Sequence, residues 1–261
     1  MTTQDIIDNS GYPLQIHLED QIKNTPNLIW KVLASEHRWA ITGSGDEGFI
    51  DLVLEAPNCR MVAECKRIKG TWTFLAPNSR PSNTLDIRIL RARPKSPPLA
   101  PNSNKFAFGW VNTLAKRESY QSAYCVMETE GKKDNRTLEK IAGEVMLSLE
   151  CLCTEETRLL SQQLLEAKDI DYFPAIVTTA ELQVYAFDPS TVSEIDGTIP
   201  PSKPVPVDFI RFRKGLATNL EYSKPSMSNL RESNQENERT VFVIQAKAFL
   251  IFLNEFLPYP A

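Results

Sequence analysis

Two periods run through the apolar positions. From Tyr12 to Asn24, Leu14, Leu18 and Ile22 recur every four residues, which predicts a helix with a narrow apolar stripe. Asn27–Ser35 reads as a second short helix, with Pro26 near its start. The period then drops to two. Trp39–Thr42 is a short strand candidate, closed by Gly43-Ser44-Gly45. Phe49–Glu55 and Arg60–Lys66 alternate cleanly, and Ala56-Pro57-Asn58-Cys59 joins them as a four-residue hairpin loop. Ile50, Leu52 and Leu54 share one face of the first strand, as Met61, Ala63 and Cys65 do in the second. The opposite faces carry Asp51 and Glu55, then Arg60, Glu64 and Lys66.

Residues 76–105 are rich in proline and poor in period, and predict a long loop or clamp. Ser119–Met127 reads as a strand. Leu138, Ile141, Ala142, Val145, Leu149 and Leu152 form a strong helical stripe, with Asp134-Asn135 as its cap. Ala175–Thr179 and Leu182–Phe187 read as a hairpin, and a proline-rich connection, 188–206, leads to a strand over Phe209–Lys214. Polar residues 219–238 predict an exposed stretch. A strand over Thr240–Ile244 and a helix over Lys247–Phe256 follow. Interleaved in this way, the elements predict an α/β fold, a mixed sheet flanked by helices. Its core would run over about 12–75 and 119–187. A proline-rich basic insertion (about 76–110) and a C-terminal strand extension (about 188–261) complete the 261 residues.

Composition narrows the class. At 42% hydrophobic and 24% charged residues, the chain is an ordinary globular one, long enough for one large domain. Gln245 and Lys247 interrupt the longest apolar stretch, Val241–Leu253, which falls short of the roughly 18 residues of a membrane span. The first residues lack a basic start and an apolar segment, so they do not read as a signal peptide. Five cysteines argue against a disulfide framework and for a reducing, cytoplasmic setting.

Net charge is −4, but its distribution is uneven. Residues 60–105 carry ten Lys/Arg against only Glu64 and Asp86. Such a block is either an electrostatic footprint for phosphate or a solvated loop. Arg88, Arg91, Arg93 and Lys95 crowd within it and are the candidate nucleic-acid contacts. Trp72, Phe74, Phe106, Phe108 and Trp110 lie in or beside it, suited to stacking on bases or to the core. Arg211 and Arg213 read first as a solvated sheet face.

The hairpin carries the chemistry. If Glu55 pairs with Arg60, pair numbers sum to about 115, and Asp51 falls beside Glu64 with Cβ atoms about 4.5–5.5 Å apart. Facing like charges destabilise a ladder unless something bridges them, and a divalent cation with oxygen ligands is the natural bridge. Lys66 lies two residues beyond Glu64 on the same face. Competing chemistries have less behind them. Only His17 and His37 exist, without a nucleophile motif, and Cys151-x-Cys153 lies in a helix with no second cysteine pair for zinc. No phosphate-cradling glycine motif is present.

Strand-borne Asp51 followed by Glu64-Cys65-Lys66 resembles the PD-(D/E)xK nuclease superfamily, with its restriction-endonuclease-like core. The resemblance covers roughly residues 12–66, with the Leu138–Leu152 helix and the Ala175–Thr179 strand as continuations. Ile50 stands where the name-giving proline would be. The resemblance implies that Asp51, Glu64 and the Cys65 carbonyl hold Mg²⁺ or Mn²⁺, and that Lys66 orients or helps deprotonate the attacking water. Glu19 matches a further acid on the first helix. The motif recurs bare at Glu130-Gly131-Lys132 and Glu166-Ala167-Lys168, where no hairpin precedes it. The implied activity is phosphodiester hydrolysis, with DNA as the first expectation for substrate and a homodimer compatible with it. A catalytically inactive nucleic-acid-binding or scaffolding module and an RNA-directed nuclease are the alternatives.

Overall fold

The computed structural model describes residues 2–41, 45–77, 81, 86–95, 106–114, 117–129, 138–162, 168–216 and 229–255. Helices α1 (Thr3–Asn9) and α2 (Tyr12–Asn24) lead into strands β1 (Lys31–Ala40), β2 (Glu47–Ala56), β3 (Cys59–Lys66) and β4 (Gly70–Pro77). Next come β5 (Asp86–Pro94), β6 (Phe106–Leu114), β7 (Gln121–Ser122) and β8 (Tyr124–Thr129). Helix α3 (Leu138–Gln162) crosses to β9 (Ile170–Thr178), followed by β10 (Glu181–Phe187), β11 (Val205–Pro206) and β12 (Phe209–Gly215). Helix α4 (Leu230–Asn237), β13 (Glu238–Gln245) and helix α5 (Phe249–Glu255) come last.

Among the described residues the strands form two sheets. The main sheet runs β1-β2-β3-β9-β13-β12-β7, and β5 and β6 join it along β9. The second runs β11-β10-β4-β8. β1, β2 and β3 are mutually antiparallel, whereas β9 returns from α3 to pair parallel with β3. A parallel return needs a crossover connection, and α3 lies within it. The fold is thus mixed α/β, a mixed sheet flanked by helices.

The main sheet is covered on both faces. Leu14, Leu18 and Ile22 of α2 and Phe249, Phe252 and Leu253 of α5 pack over Leu52, Leu54, Met61 and Phe173. On the other face α3 and the second sheet pack over Val53, Val62 and Ile176. Beneath α3 lies a polar anchor. Glu156 accepts from Arg60 Nε and from the Tyr172 hydroxyl, each at 2.9 Å, which ties the helix to β3 and β9.

Several expected elements take other forms. Residues 31–35 belong to β1, not to a helix over 27–35. Pro26-Asn27 forms a turn, with Asn27 at φ 61°, a conformation that asparagine tolerates. The expected loop over 76–105 contains β5, whose apolar residues reach both cores: Ile87 and Ile89 on one face, Leu90 and Ala92 on the other. Ala175–Thr179 and Leu182–Phe187 do not form a hairpin. β9 has both edges taken in the main sheet, and β10 pairs in parallel with β4. The 119–127 strand divides between β7 and β8, which lie in different sheets. Ile50 packs with Val53, away from Leu52 and Leu54, so the alternation breaks at Asp51. Thr42, Gly43, Ser44, Asp134, Asn135, residues 219–228 and Phe256 fall outside the described residues, as do Glu130-Gly131-Lys132 and Glu166-Ala167.

Trp72, Phe74, Phe106 and Trp110 are core residues. Arg211 is not on a solvated face. It is fully buried, donates to the Ser119 carbonyl at 2.7 Å, and burial, with Arg213 beside it, pushes its pKa down to about 10. All five cysteines are free thiols, and among the described residues no helix is long and apolar enough to cross a membrane.

The packing of α3 is directly testable. Leu149 is fully buried between the two sheets, whereas Leu159 on the same helix is 45% exposed. Leu149→Ala should cost about 2–5 kcal/mol in denaturant unfolding, the usual range for a buried leucine. Leu159→Ala should stay within about 0.5 kcal/mol of wild type. Equal losses would place α3 wrongly.

Candidate active site at the open end of the β2–β3 hairpin

The hairpin register follows the expected arithmetic, Glu55 opposite Arg60 and Leu52 opposite Ala63, but Ala56 also pairs with Cys59, so the loop is the two residues Pro57-Asn58 and not the four expected. Leu52–Ala63 is the last ladder pair, and the next step brings Asp51 beside Glu64. There the strands part. Asp51 Oδ2 accepts from the Cys65 backbone N–H at 2.6 Å, so a side chain replaces a ladder bond. The Asp51 carbonyl is also diverted and accepts from Gln15 Nε2 of α2 at 3.0 Å. Gln15 is buried, and this bond clamps the helix to the opened strand.

Glu64 lies on the same face as Arg60 and Val62, towards α3, and its carboxylate is ion-paired with Lys66 Nζ. Both side chains are mostly buried. Burial pushes the Asp51 pKa up to about 7, with the Glu64 charge adding to the rise. The Cys65 N–H and the Lys66 charge act against it, while Glu36 adds a further upward push. Burial, with Asp51 and Glu64 behind it, also raises the Cys65 thiol well above its usual range. The centre therefore gathers more negative than positive charge: Asp51, Glu64 and Glu36 against Lys66.

Such a centre suits a cation. Among the described residues no group of three or more His, Cys, Asp or Glu side chains converges to hold a metal. Asp51 and Glu64 nevertheless match what Mg²⁺ usually takes from a protein, one or two carboxylates, with water and phosphate oxygens as the rest. The Cys65 carbonyl fits the same set. Thr179 N–H donates to the Lys66 carbonyl on the β9 side at 3.1 Å, and backbone groups alternate along a strand, so the Cys65 carbonyl faces the Asp51 side.

The other expected residues are spread more widely. Glu19 is held by Lys23 on its own helix and by Ser35 of β1, and these hydrogen bonds lower its pKa, the Lys23 bond most. Arg88 is buried and paired with Glu236, and Arg91 makes a two-point pair with Asp171 at 2.6 and 2.8 Å. Exposed Arg93 pairs with Asp169 at 3.2 Å, and Lys95 is exposed.

Two residues join the site without having been expected. Gln15 follows Leu14 and precedes Leu18 and Ile22 by three and seven residues, a helical spacing that puts a polar group beside the apolar stripe. Glu36 sits where β1 passes Asp51, since Ser35 pairs with Leu52 and His37 with Ile50. Its φ of 51° is unusual for a glutamate. Strand-pair arithmetic finds Glu36 once β1 is recognised as a strand.

Asp51 makes metal-free stability depend on pH. Its folded pKa is raised from 3.8 to about 7. The native state therefore holds a proton that the unfolded chain gives up, and stability is lost as pH rises through this window. Without metal, wild type should lose melting temperature between pH 4 and 7 relative to Asp51→Asn. At neutral pH Asp51→Asn should be the more stable, by up to about 1–3 kcal/mol for like charges about 5 Å apart. Parallel melting curves for the two proteins across that range would show that the Asp51 carboxyl is not raised in the folded protein.

No family model, curated protein or solved structure matches the chain.

Proposed function

We propose that the protein is a metal-dependent nuclease of the PD-(D/E)xK type, built on a restriction-endonuclease-like core and hydrolysing phosphodiester bonds, with DNA as the first substrate to test. The observation that carries this reading is the meeting of Asp51, Glu64 and Lys66 where the hairpin ladder opens, with Asp51 fixed by the Cys65 N–H. An ordinary surface Glu–Lys pair would be worth only about 0–1 kcal/mol. It would give no reason to bury a second carboxylate beside it. The fold supports the same reading. β9 follows α3 in the chain and pairs in parallel with β3, which puts a buried strand behind the motif.

Asp51, Glu64 and the Cys65 carbonyl would hold Mg²⁺ or Mn²⁺, which supplies charge neutralisation on the phosphate and lowers the pKa of bound water. Lys66 Nζ keeps Glu64 in place and carries positive charge to the rim, where negative charge grows on the phosphate oxygens. Its ammonium also orients the attacking water. Water adds to phosphorus, the bond to one ester oxygen breaks, and that oxygen leaves with a proton. Gln15 keeps the strand open at Asp51 so that the carboxylate stays at the rim.

Single- and double-stranded DNA and RNA, incubated with Mg²⁺ or Mn²⁺, test this. Wild type should cut at least one of them, and EDTA should stop it. Glu64→Ala and Lys66→Ala should each lower the rate by about 100-fold or more at a temperature where both variants remain folded by circular dichroism, the scale of loss when one charge-stabilising group is removed from a site. Cleavage that survives both substitutions, or persists in EDTA, overturns the mechanism.

A further inference from the structure

A groove of about 480 Å³ opens beside Lys66, at the carboxyl ends of β3 and β9. Its origin is topological. β3 and β9 run parallel in the main sheet up to Lys66 opposite Thr178. Both then leave it, and they pair again in the second sheet as β4 and β10, starting with Thr71 opposite Glu181. The same two segments are thus parallel neighbours in both sheets. Between the two pairings the first segment spends four residues, 67–70, where the second spends two, 179 and 180, and the groove lies along that bulge. Ligands of open α/β sheets commonly bind in such crevices beyond the carboxyl ends of strands.

The bulge is braced from below. Thr179 Oγ1 accepts from the Ile68 N–H and donates to the Ile68 carbonyl, both at 2.9 Å, and Thr179 N–H holds the Lys66 carbonyl. Arg67 and Lys69 line one side, so Lys66, Arg67 and Lys69 place three cations within four residues running from the candidate active site into the groove. Thr71 continues that segment, and Thr179 and Glu181 line the groove from the segment that leads from β9 into β10. One side therefore attracts an anion, and the other offers acceptors to hydroxyl or amino donors. A nucleotide unit of a polymer has both, a phosphate on one side and sugar and base donors on the other.

We propose that this groove is a nucleic-acid subsite, taking the nucleotide next to the bond cut at Asp51, Glu64 and Lys66. Its phosphate lies on Arg67 and Lys69, and its sugar or base lies toward Glu181. The proposal rests on the nuclease reading and extends it, because it fixes the direction in which the strand leaves the site.

Binding separates the two ideas. Fluorescent single- and double-stranded oligonucleotides are titrated with the full chain in EDTA and in Ca²⁺, over a range of salt. Arg67→Ala combined with Lys69→Ala should weaken binding. It should also reduce the slope of log K against log salt by roughly 0.7–0.9 for each phosphate that the variant no longer neutralises. Glu181→Lys should tighten binding and steepen the slope. Because that second variant is expected to bind more tightly, misfolding cannot imitate its result. Unchanged slopes in both variants, or no binding by wild type in either condition, overturn the groove. Cleavage with unchanged slopes leaves the nuclease reading standing alone. Slopes that follow both variants without any cleavage in Mg²⁺ or Mn²⁺ support the groove and overturn the nuclease.

Discussion

The structure is organised around one constraint, the complete burial of β9. All nine of its residues are buried, so each backbone amide on either edge needs a partner within the protein. β3 takes one edge along its whole length. The other edge is shared. β5 pairs with Ile170, Asp171 and Tyr172, and β13 with Ala175 to Thr178. Pro174 stands between them. Asp171 N–H donates to Asn58 on the β3 side, and amides alternate, so the Pro174 nitrogen faces the other edge, in the interval between β5 and β13. A residue with no N–H thus occupies a position where no strand waits for one.

The candidate site depends on that frame. β3 is held straight by β9, while β2 has only the hairpin ladder and β1. The ladder yields at Asp51, on the less supported side, and the Cys65 amide is satisfied by a carboxylate in place of a carbonyl. Its result is a carboxylate fixed at the strand edge beside Glu64, raised in pKa because burial and a neighbouring charge both disfavour ionisation. The strain lies in electrostatics more than in packing, since α2 and α3 cover both faces normally. A site with excess negative charge and one adjacent ammonium has its own chemical bias, toward cations and the anions that cations carry. Beyond it, the cationic run from Lys66 to Lys69 continues along the groove where the parallel strands change sheets, the surface proposed for a nucleic-acid strand.

The basic block had two readings in the sequence, and the structure divides it. Arg88 and Arg91 carry their charge into the protein, against Glu236 and Asp171, acids 148 and 80 residues away. Arginine's planar, multiple donors let it be buried where a matching acceptor exists. Arg67 and Lys69 line the groove beyond β3. A count of charges along the chain cannot separate these cases, because the partners that neutralise an arginine are chosen by folding.

Periodicity and local spacing were enough for α2, the hairpin register, the α3 stripe, and the placing of Asp51 beside Glu64 and Lys66. These features depend on residues close in sequence: a stripe every four residues, a tight turn that sets pair numbers, an alternation that selects a face. The same local patterns placed β12, β13 and α5. Other features were decided by tertiary structure. β1 became a strand because β2 offered it an edge, although residues 27–35 have no alternation strong enough to exclude a helix. β5 entered the sheet because distant acids neutralised its arginines. β9 and β10 parted because β3 and β13 occupied both edges of β9. Glu36 and Gln15 reached Asp51 only once β1 and α2 were packed against β2. For β5, β9 and β10 the deciding interaction joins segments far apart in the chain, and for β1 it joins consecutive strands; in each case hydrophobic burial and backbone hydrogen bonding select among pairings that local sequence leaves equal.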